Sequence, residues 1–261
     1  MALKLNSQNI EFESQLINQF RNSCRPAQAE FLNYIYDTIQ ASLTIGEDES
    51  LFLEVGAGYG ISKKFLGELN ILRTDIINWK NSDVIGNIDG ENLPFHDSVF
   101  DGSFAIDTLH HIAHPYALVS ELLRVTKPGR RVVFIEPYVS LFSFPIFKLF
   151  HSERATWRFI LDLDQQLVTL DPGDGDQGIP KSMFCSAKGK EIIRQMFTED
   201  IRVDVTYISP FSFFVTGGLT KPLPTPGWVV RGLIVIEGFI PQIFLKYISS
   251  RMIIIITRLP E

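Results

Sequence analysis

The stretch LFLEVGAGYGISKKFLGEL, residues 51–69, decides the fold. Its first five residues form a short apolar run that ends at a glycine, which is typical of a buried parallel strand. The next five, GAGYG (56–60), form a glycine-rich turn, and ISKKFLGEL (61–69) places apolar side chains at helical spacing. A strand, a glycine turn and a helix in this order predict the first βα unit of an α/β domain.

The same alternation continues outward from this unit. Apolar runs predict further strands at residues 71–76, 83–89, 100–107, 130–137, 201–208 and 251–259. Helical spacing predicts helices that start at Pro26 and cover 115–126 and 188–197. Strands that alternate with helices imply right-handed crossovers, so we expect a mostly parallel sheet flanked by helices.

Composition narrows the class of protein. Of the 261 residues, 45% are hydrophobic and 21% are charged, values that indicate a globular chain. The net charge is −6 and basic residues do not cluster, which argues against a nucleic-acid partner. Cys24 and Cys185 lie too far apart for a zinc motif, and the histidines have no adjacent acidic pair at ligand spacing. We therefore expect no metal site.

Several features of the sequence bear on whether the protein contacts a membrane. The N-terminus lacks the pattern of a signal peptide, which predicts a cytoplasmic protein. The most apolar segment, 228–248, contains Arg231, Glu237 and Lys246, so it does not suit a transmembrane span. The chain nevertheless has 21 phenylalanines, many of them in its last half, and peripheral contact with a membrane stays an alternative.

The glycine turn indicates which kind of ligand it accepts. Its spacing is G-x-G-x-G, because Ile61 stands where the dinucleotide fingerprint has its third glycine. Glu54, two residues before the turn, would repel a pyrophosphate. Asp75 ends the second strand, where a carboxylate accepts hydrogen bonds from ribose hydroxyls, and Asp89 ends the third, near the base. A positively charged nucleoside without phosphates fits this set, and S-adenosylmethionine is such a molecule.

With these residues in place, the sequence resembles the class I S-adenosylmethionine-dependent methyltransferases. The resemblance rests on LEVGAGYG (53–60), Asp75, IDGENLPFHDSVFDGSFAIDTLHHI (88–112) and ELLRVTKPGRRVVFIEP (121–137). It is strongest to the subset that includes the ubiquinone/menaquinone biosynthesis methyltransferases.

The resemblance implies an architecture and a cofactor site. The fold is a Rossmann-like seven-stranded sheet of order 3-2-1-4-5-7-6 with strand 7 antiparallel. Residues 1–261 form a single domain, with an N-terminal helical cap (1–45) and acceptor-covering inserts at 138–185 and 209–250. The cofactor-binding residues implied by the family are Glu54, Gly56, Ala57, Gly58, Tyr59, Gly60, Asp75, Asp89, Gly90, Ile106 and Asp107.

Two histidines are the candidate catalytic residues. An oxygen or carbon acceptor must lose a proton when it is methylated, and histidine is the usual base near neutral pH. His110 and His111 follow the fourth strand, beside the expected position of the methyl group, and His111 is the stronger candidate. A structural role for both stays an alternative. Glu136 either orients an acceptor or binds local backbone.

The predicted function is methyl transfer to a small or lipid-linked acceptor at oxygen, in surface glycan or lipid assembly. Six phenylalanines of the inserts are candidates to line an acceptor pocket: Phe142, Phe144, Phe147, Phe211, Phe213 and Phe214. A lid core or a homodimer contact is the other interpretation of these side chains. The alternatives for function are C-methylation of a quinone-type substrate and a non-catalytic cofactor-binding protein that recruits a partner.

Overall fold

The computed structural model describes residues 25–43, 50–79, 82–150, 153–157, 175–197, 201–218 and 223–260. Its strands are β1 (Leu51–Val55), β2 (Asn70–Thr74), β3 (Gly102–Ile106), β4 (Arg131–Pro137), β5 (Ile201–Ile208) and β6 (Arg251–Arg258). Its helices are α1 (Pro26–Leu43), α2 (Ser62–Phe65), α3 (Pro115–Val125), α4 (Ser143–Phe150), α5 (Ile179–Cys185), α6 (Ala187–Phe197), α7 (Ser212–Val215), α8 (Gly227–Gly238) and α9 (Gln242–Ile248). The first 24 residues of the predicted cap lie outside the described residues.

The six strands form one sheet of order β2-β1-β3-β4-β6-β5. Strands β2, β1, β3 and β4 run parallel, whereas β6 is antiparallel to both β4 and β5. This is the predicted order with one edge strand removed, so the α/β class and the antiparallel seventh strand of the prediction are confirmed.

The predicted strand at 83–89 is wrong. This segment joins the sheet through a single parallel bridge between Thr74 and Ile85. Asn87 has a φ of 60°, a left-handed conformation that breaks an extended strand. Gly86 packs so closely on Asn78 that a Cβ would lie 2.3 Å from the Asn78 Cα. The chain therefore turns away from β2 after one pairing.

Both faces of the sheet are covered. On one face, β1, β4 and β6 pack against α3, α5 and α6 through residues such as Leu122, Phe134 and Ile254. On the other face, Phe31 and Ile35 of α1 lie in a second cluster. The run of four isoleucines in β6 alternates between these two clusters, as expected for a strand buried on both sides.

The two inserts meet next to the start of β6. The Tyr138 amide donates to the Ser250 carbonyl at 2.8 Å, and the Phe142 amide donates to the Tyr247 carbonyl at 3.2 Å. Because β6 is antiparallel, its first residue lies at the same sheet edge as the carboxyl ends of β3 and β4. Within the described residues, no helix is both long and apolar enough to cross a membrane.

Candidate active site

The glycine turn after β1 leaves one stretch of backbone open. Gly56, Gly58 and Gly60 all have positive φ angles, which glycine adopts readily. A Cβ on Gly56 would lie 2.2 Å from the Thr108 Oγ1, and one on Gly60 would lie 2.9 Å from Val84. At Gly58, by contrast, a Cβ would meet no described atom within 4 Å. Gly56 and Gly60 are therefore required for packing, while Gly58 exposes its backbone to open space.

Asp75 holds this turn against the end of β2. Its Oδ2 accepts a hydrogen bond from the Gly58 amide at 2.8 Å, and its Oδ1 accepts one from the Ile77 amide at 2.8 Å. The side chain is buried, and burial raises the pKa of Asp75. A carboxylate has about four lone-pair sites, so Asp75 retains acceptor capacity for hydroxyl groups of a ligand.

Glu54 lies within the turn's own polar network. Its buried carboxylate accepts a hydrogen bond from the Ser62 hydroxyl and lies 3.6 Å from the Arg73 Nε. Burial raises the pKa of Glu54 to about 7, although Ser62 and Arg73 act in the opposite direction. Its predicted place near the amino group of a ligand stays a prediction.

Three more of the predicted cofactor-binding residues are Tyr59 in the turn and Asp89 and Gly90 after β2. Tyr59 is buried against Trp79, with ring centroids 4.4 Å apart. Asp89 is exposed, and its Oδ1 accepts a hydrogen bond from the Glu91 amide at 2.9 Å. Gly90 is buried, and a Cβ there would lie 2.9 Å from the Val55 side chain. The Asp89 carboxylate thus stays accessible while Gly90 fixes the loop.

A side-chain ion pair links the residue after β3 to the first residue of β6. Asp107 has a φ of 50° and forms an ion pair with the buried Arg251, while Ile106 beside it is half-buried. The Arg251 guanidinium also lies 5.1 Å from the centre of the Phe213 ring. No sequence pattern indicates this pair, because its partners are 144 residues apart.

His110 is enclosed by carboxylates. Its Nδ1 lies 2.6 Å from Glu136, which also accepts hydrogen bonds from the amides of Thr108 (3.0 Å) and Leu109 (2.8 Å). Burial by itself would lower the pKa of His110, but Glu136 and Glu153 outweigh it and raise the pKa to about 10. The surrounding carboxylates therefore favour the protonated form of the buried His110 ring. Of the two roles considered for Glu136, the structure shows the backbone role.

His111 is the more accessible of the two histidines. It is half-buried, its ring centre lies 4.1 Å from that of His110, and its Nε2 lies 3.8 Å from the Glu153 Oε1. The ligand atoms of His110, His111 and Glu153 lie close enough to hold a metal ion, so the expected absence of a metal site remains untested. Glu153 belongs to the first insert, so the spacing of the histidines in the sequence does not predict its contact with them.

A cavity of ≈ 480 Å³ lies elsewhere, between α6 and β5, where Lys190, Arg194 and Tyr207 contribute to its lining. It contains none of the predicted site residues. The chemistry of the glycine turn and the histidines therefore identifies the candidate site better than cavity size does.

The comparisons with known proteins agree with this geometry. Residues 53–134 match the family described as a methyltransferase domain. In this stretch the chain is similar to methyltransferase domains. The match begins in β1 and ends in β4, so it contains the glycine turn, Asp75 and both histidines. The resemblance to class I methyltransferases is thereby confirmed.

Curated relatives match only part of the chain. It is 41% identical over 64 residues to a demethylmenaquinone methyltransferase of Paenarthrobacter aurescens, covering 24% of this chain and 23% of that protein. It is 33% identical over 94 residues to the ubiquinone/menaquinone biosynthesis C-methyltransferase UbiE of Stutzerimonas stutzeri, covering 34% of this chain and 35% of the relative. The matched segments thus span a third or so of these relatives at most.

Solved structures support the fold over a longer range. A SAM-dependent methyltransferase from Archaeoglobus fulgidus has a TM-score of 0.52 at 14% identity, covering 88% of this chain and 94% of that one. The [4+2]-cyclase SpnF has a TM-score of 0.51 at 15% identity, covering 88% and 82%. At such low identity these likenesses concern the fold alone.

Proposed function

We propose that this protein is an S-adenosylmethionine-dependent methyltransferase that acts on a small or lipid-linked acceptor. The observation that carries the proposal is the open backbone at Gly58, which the buried carboxylate of Asp75 adjoins within a methyltransferase domain. A non-catalytic cofactor-binding protein has less support, because the site also contains a half-buried histidine, His111, next to the buried His110–Glu136 pair.

The residues of the turn fit this cofactor. Gly58 lets the ligand approach the backbone, Asp75 accepts from the ribose hydroxyls, and Asp89 faces the adenine side. The open space at Gly58 suits a ligand without a phosphate, because the turn lacks a neighbouring Lys-Ser/Thr pair. S-adenosylmethionine, when bound, supplies a methyl group activated by its positive sulfur.

His111 is the proposed proton acceptor. The neighbouring ring of His110 and the side chain of Glu153 position it just after the carboxyl end of β3. Removal of the acceptor proton as the methyl group arrives makes an oxygen or an activated carbon a better nucleophile. Residues that align the acceptor contribute further, because well-oriented reactants gain ~7–11 kcal/mol.

The inserts favour an apolar acceptor. The rings of Phe142, Phe211 and Phe214 are neighbours, with Phe142 5.5 Å from Phe211 and 6.1 Å from Phe214. Phe213 adjoins Phe214 and contacts Arg251, the partner of Asp107. We call these four phenylalanines the aromatic cluster. It extends from the surface of the inserts to Arg251, the partner of Asp107 after β3, and its apolar side chains suit a lipid or a prenylated ring.

Methylation at oxygen is our first proposal for the reaction, and C-methylation of a quinone-type ring is the second. The second is favoured by the names of the relatives, which are a demethylmenaquinone methyltransferase and a C-methyltransferase of quinone biosynthesis. Incubation with labelled S-adenosylmethionine and either hydroxylated lipids or demethylmenaquinone distinguishes them by the product that carries the label.

Asp75→Ala is expected to weaken the binding of S-adenosylmethionine and S-adenosylhomocysteine about 10–100-fold, because hydrogen bonds to a charged group contribute ~1.5–3 kcal/mol. Isothermal titration calorimetry measures this directly. Asp204→Ala, which removes an exposed carboxylate of β5, is the matched control and keeps wild-type affinity. If a folded wild-type protein binds neither ligand, the proposed function is wrong.

His111→Ala is expected to lower kcat about a hundredfold while leaving cofactor affinity unchanged, because a general base accelerates proton transfer without holding the nucleoside. The measurement is the rate of label transfer to whichever acceptor is found. His96→Ala provides a histidine control outside the site. A variant that retains wild-type kcat would leave His111 with a structural role only.

A further inference from the structure

The helices of the second insert expose an unusual amount of apolar surface. On α8 and the turn after it, Trp228 is 75% exposed and Phe239 is 81% exposed. On α9, Ile243 and Phe244 are exposed as well. We call the outward surface of residues 228–247 the apolar face. Single exposed apolar residues are ordinary, but a contiguous set of aromatic ones marks an interaction surface.

The exposure follows the helical period. Helix α8 buries Val230 and Glu237, while Trp228, Val235 and Phe239 are exposed at spacings of seven and four residues. Those spacings place the three side chains on one side of the helix. The buried side packs against α1, whose Glu30 pairs with Arg231. The apolar face is therefore the ordered outer side of a packed helix.

The two inserts contain few acidic residues around the apolar face, where Arg231 is paired with Glu30 of α1. Segments 138–150 and 205–250 contain 1 of the chain's 30 acidic residues, Glu237. That carboxylate is buried and accepts hydrogen bonds from the Ser212 hydroxyl and from the Phe211 and Ser212 amides. Lys148 and Lys246 are exposed. Exposed lysines next to exposed apolar side chains are the complement of an anionic lipid surface.

The apolar face continues into the candidate site. Tyr247 of α9 is exposed, and its carbonyl accepts the hydrogen bond from Phe142, a member of the aromatic cluster. The cluster leads to Phe213, which contacts Arg251 and through it Asp107 at the end of β3. An acceptor that left a membrane under the apolar face would therefore meet aromatic side chains on its path to the site.

We infer that the apolar face docks on an anionic membrane surface and that the acceptor is drawn from that membrane. The inference rests on the proposed function for the role of the acceptor, but not for the docking itself. A lipid surface is a better occupant than a second copy of the chain, because a symmetric contact would bring the exposed lysines of both copies together. Tryptophan, tyrosine and lysine are also the residues that settle at lipid headgroups.

The test is sedimentation of the full chain with lipid vesicles. One set of vesicles contains only phosphatidylcholine, and in the other about a third of the lipid is phosphatidylglycerol. We expect about tenfold stronger binding to the anionic set and a loss of about tenfold in the double variant Phe239→Ser/Phe244→Ser. Met196→Ser and Leu259→Ser remove exposed apolar residues elsewhere and serve as matched controls that bind like wild type.

Two results would overturn the inference. The first is equal binding of the wild type and the double variant to anionic vesicles. The second is a dimer, seen by light scattering, that the double variant dissociates, since the occupant would then be a second copy. Calorimetry with S-adenosylhomocysteine on the same variants separates this test from the proposed function. Vesicle binding without cofactor binding would leave the docking intact and reject the methyltransferase.

Discussion

Replacing Glu136 by alanine is expected to destabilise the protein by about 3–5 kcal/mol, the usual result of removing one partner of a buried ion pair. The Glu136 carboxylate is fully buried and binds the His110 Nδ1 as well as the amides of Thr108 and Leu109. Without it, a buried imidazole and two buried amides lose their acceptor together. Urea unfolding at a pH below 6.5 measures the difference in the free energy of unfolding.

Glu136→Gln separates charge from hydrogen bonding. The amide oxygen still accepts from Thr108 and Leu109, so the loss is expected to be smaller than for alanine. Glu191→Ala, which removes a largely exposed carboxylate of α6, is the control and changes stability by less than about 0.5 kcal/mol. An alanine variant as stable as this control would show that the pair does not stabilise the fold.

The contribution of the pair depends on pH. The carboxylates around His110 hold its pKa above the usual 6.5, at about 10, against the opposing effect of burial. A raised pKa in the folded state means that the stabilisation is complete below pH 6.5 and is lost as the pH rises through the folded value. The stability gap between the wild type and Glu136→Gln should therefore narrow from pH 6.5 towards pH 10. A constant gap would contradict the charged state of His110.

The strands were predictable because their signals are local. The apolar runs at 51–55, 130–137 and 251–259 correspond to β1, β4 and β6 within a residue or so. The predicted strand at 83–89 is wrong because one residue, Asn87, has a positive φ that interrupts an extended strand. Likewise the helix predicted at 61–69 ends at Phe65, because Leu66 adopts φ −117° and ψ 31°.

The candidate site was predictable only in the part built by neighbouring residues. The glycine turn and Asp75 follow directly after two adjacent parallel strands, β1 and β2, so their proximity follows from the βα order. Glu153, the partner of His111, comes from the first insert, and Arg251, the partner of Asp107, comes from the last strand. Such long-range pairs depend on how the chain packs, and neither spacing nor composition contains that information. The same limit applies to the apolar face, whose exposure a run of apolar residues cannot distinguish from a buried core.

The open backbone at Gly58 leads to the sharpest test of the cofactor site. Gly58→Val is expected to weaken S-adenosylmethionine binding by more than about a hundredfold, because the new side chain fills the space that the ligand needs. The substitution also strains the backbone, since φ at Gly58 is 54° and a left-handed conformation adds ~1–2 kcal/mol for other residues. Calorimetric titration measures the affinity, and thermal unfolding measures the strain.

Gly129 provides a control that isolates the ligand from the strain. It has a φ of 77°, a Cβ there would also meet nothing within 4 Å, and it precedes β4, at the sheet edge away from the site. Gly129→Val should therefore lower the melting temperature about as much as Gly58→Val and leave cofactor affinity at the wild-type value. If both variants bind the cofactor equally well, the open space at Gly58 is not where the ligand lies. If both lose binding equally, the loss reports unfolding rather than a blocked site.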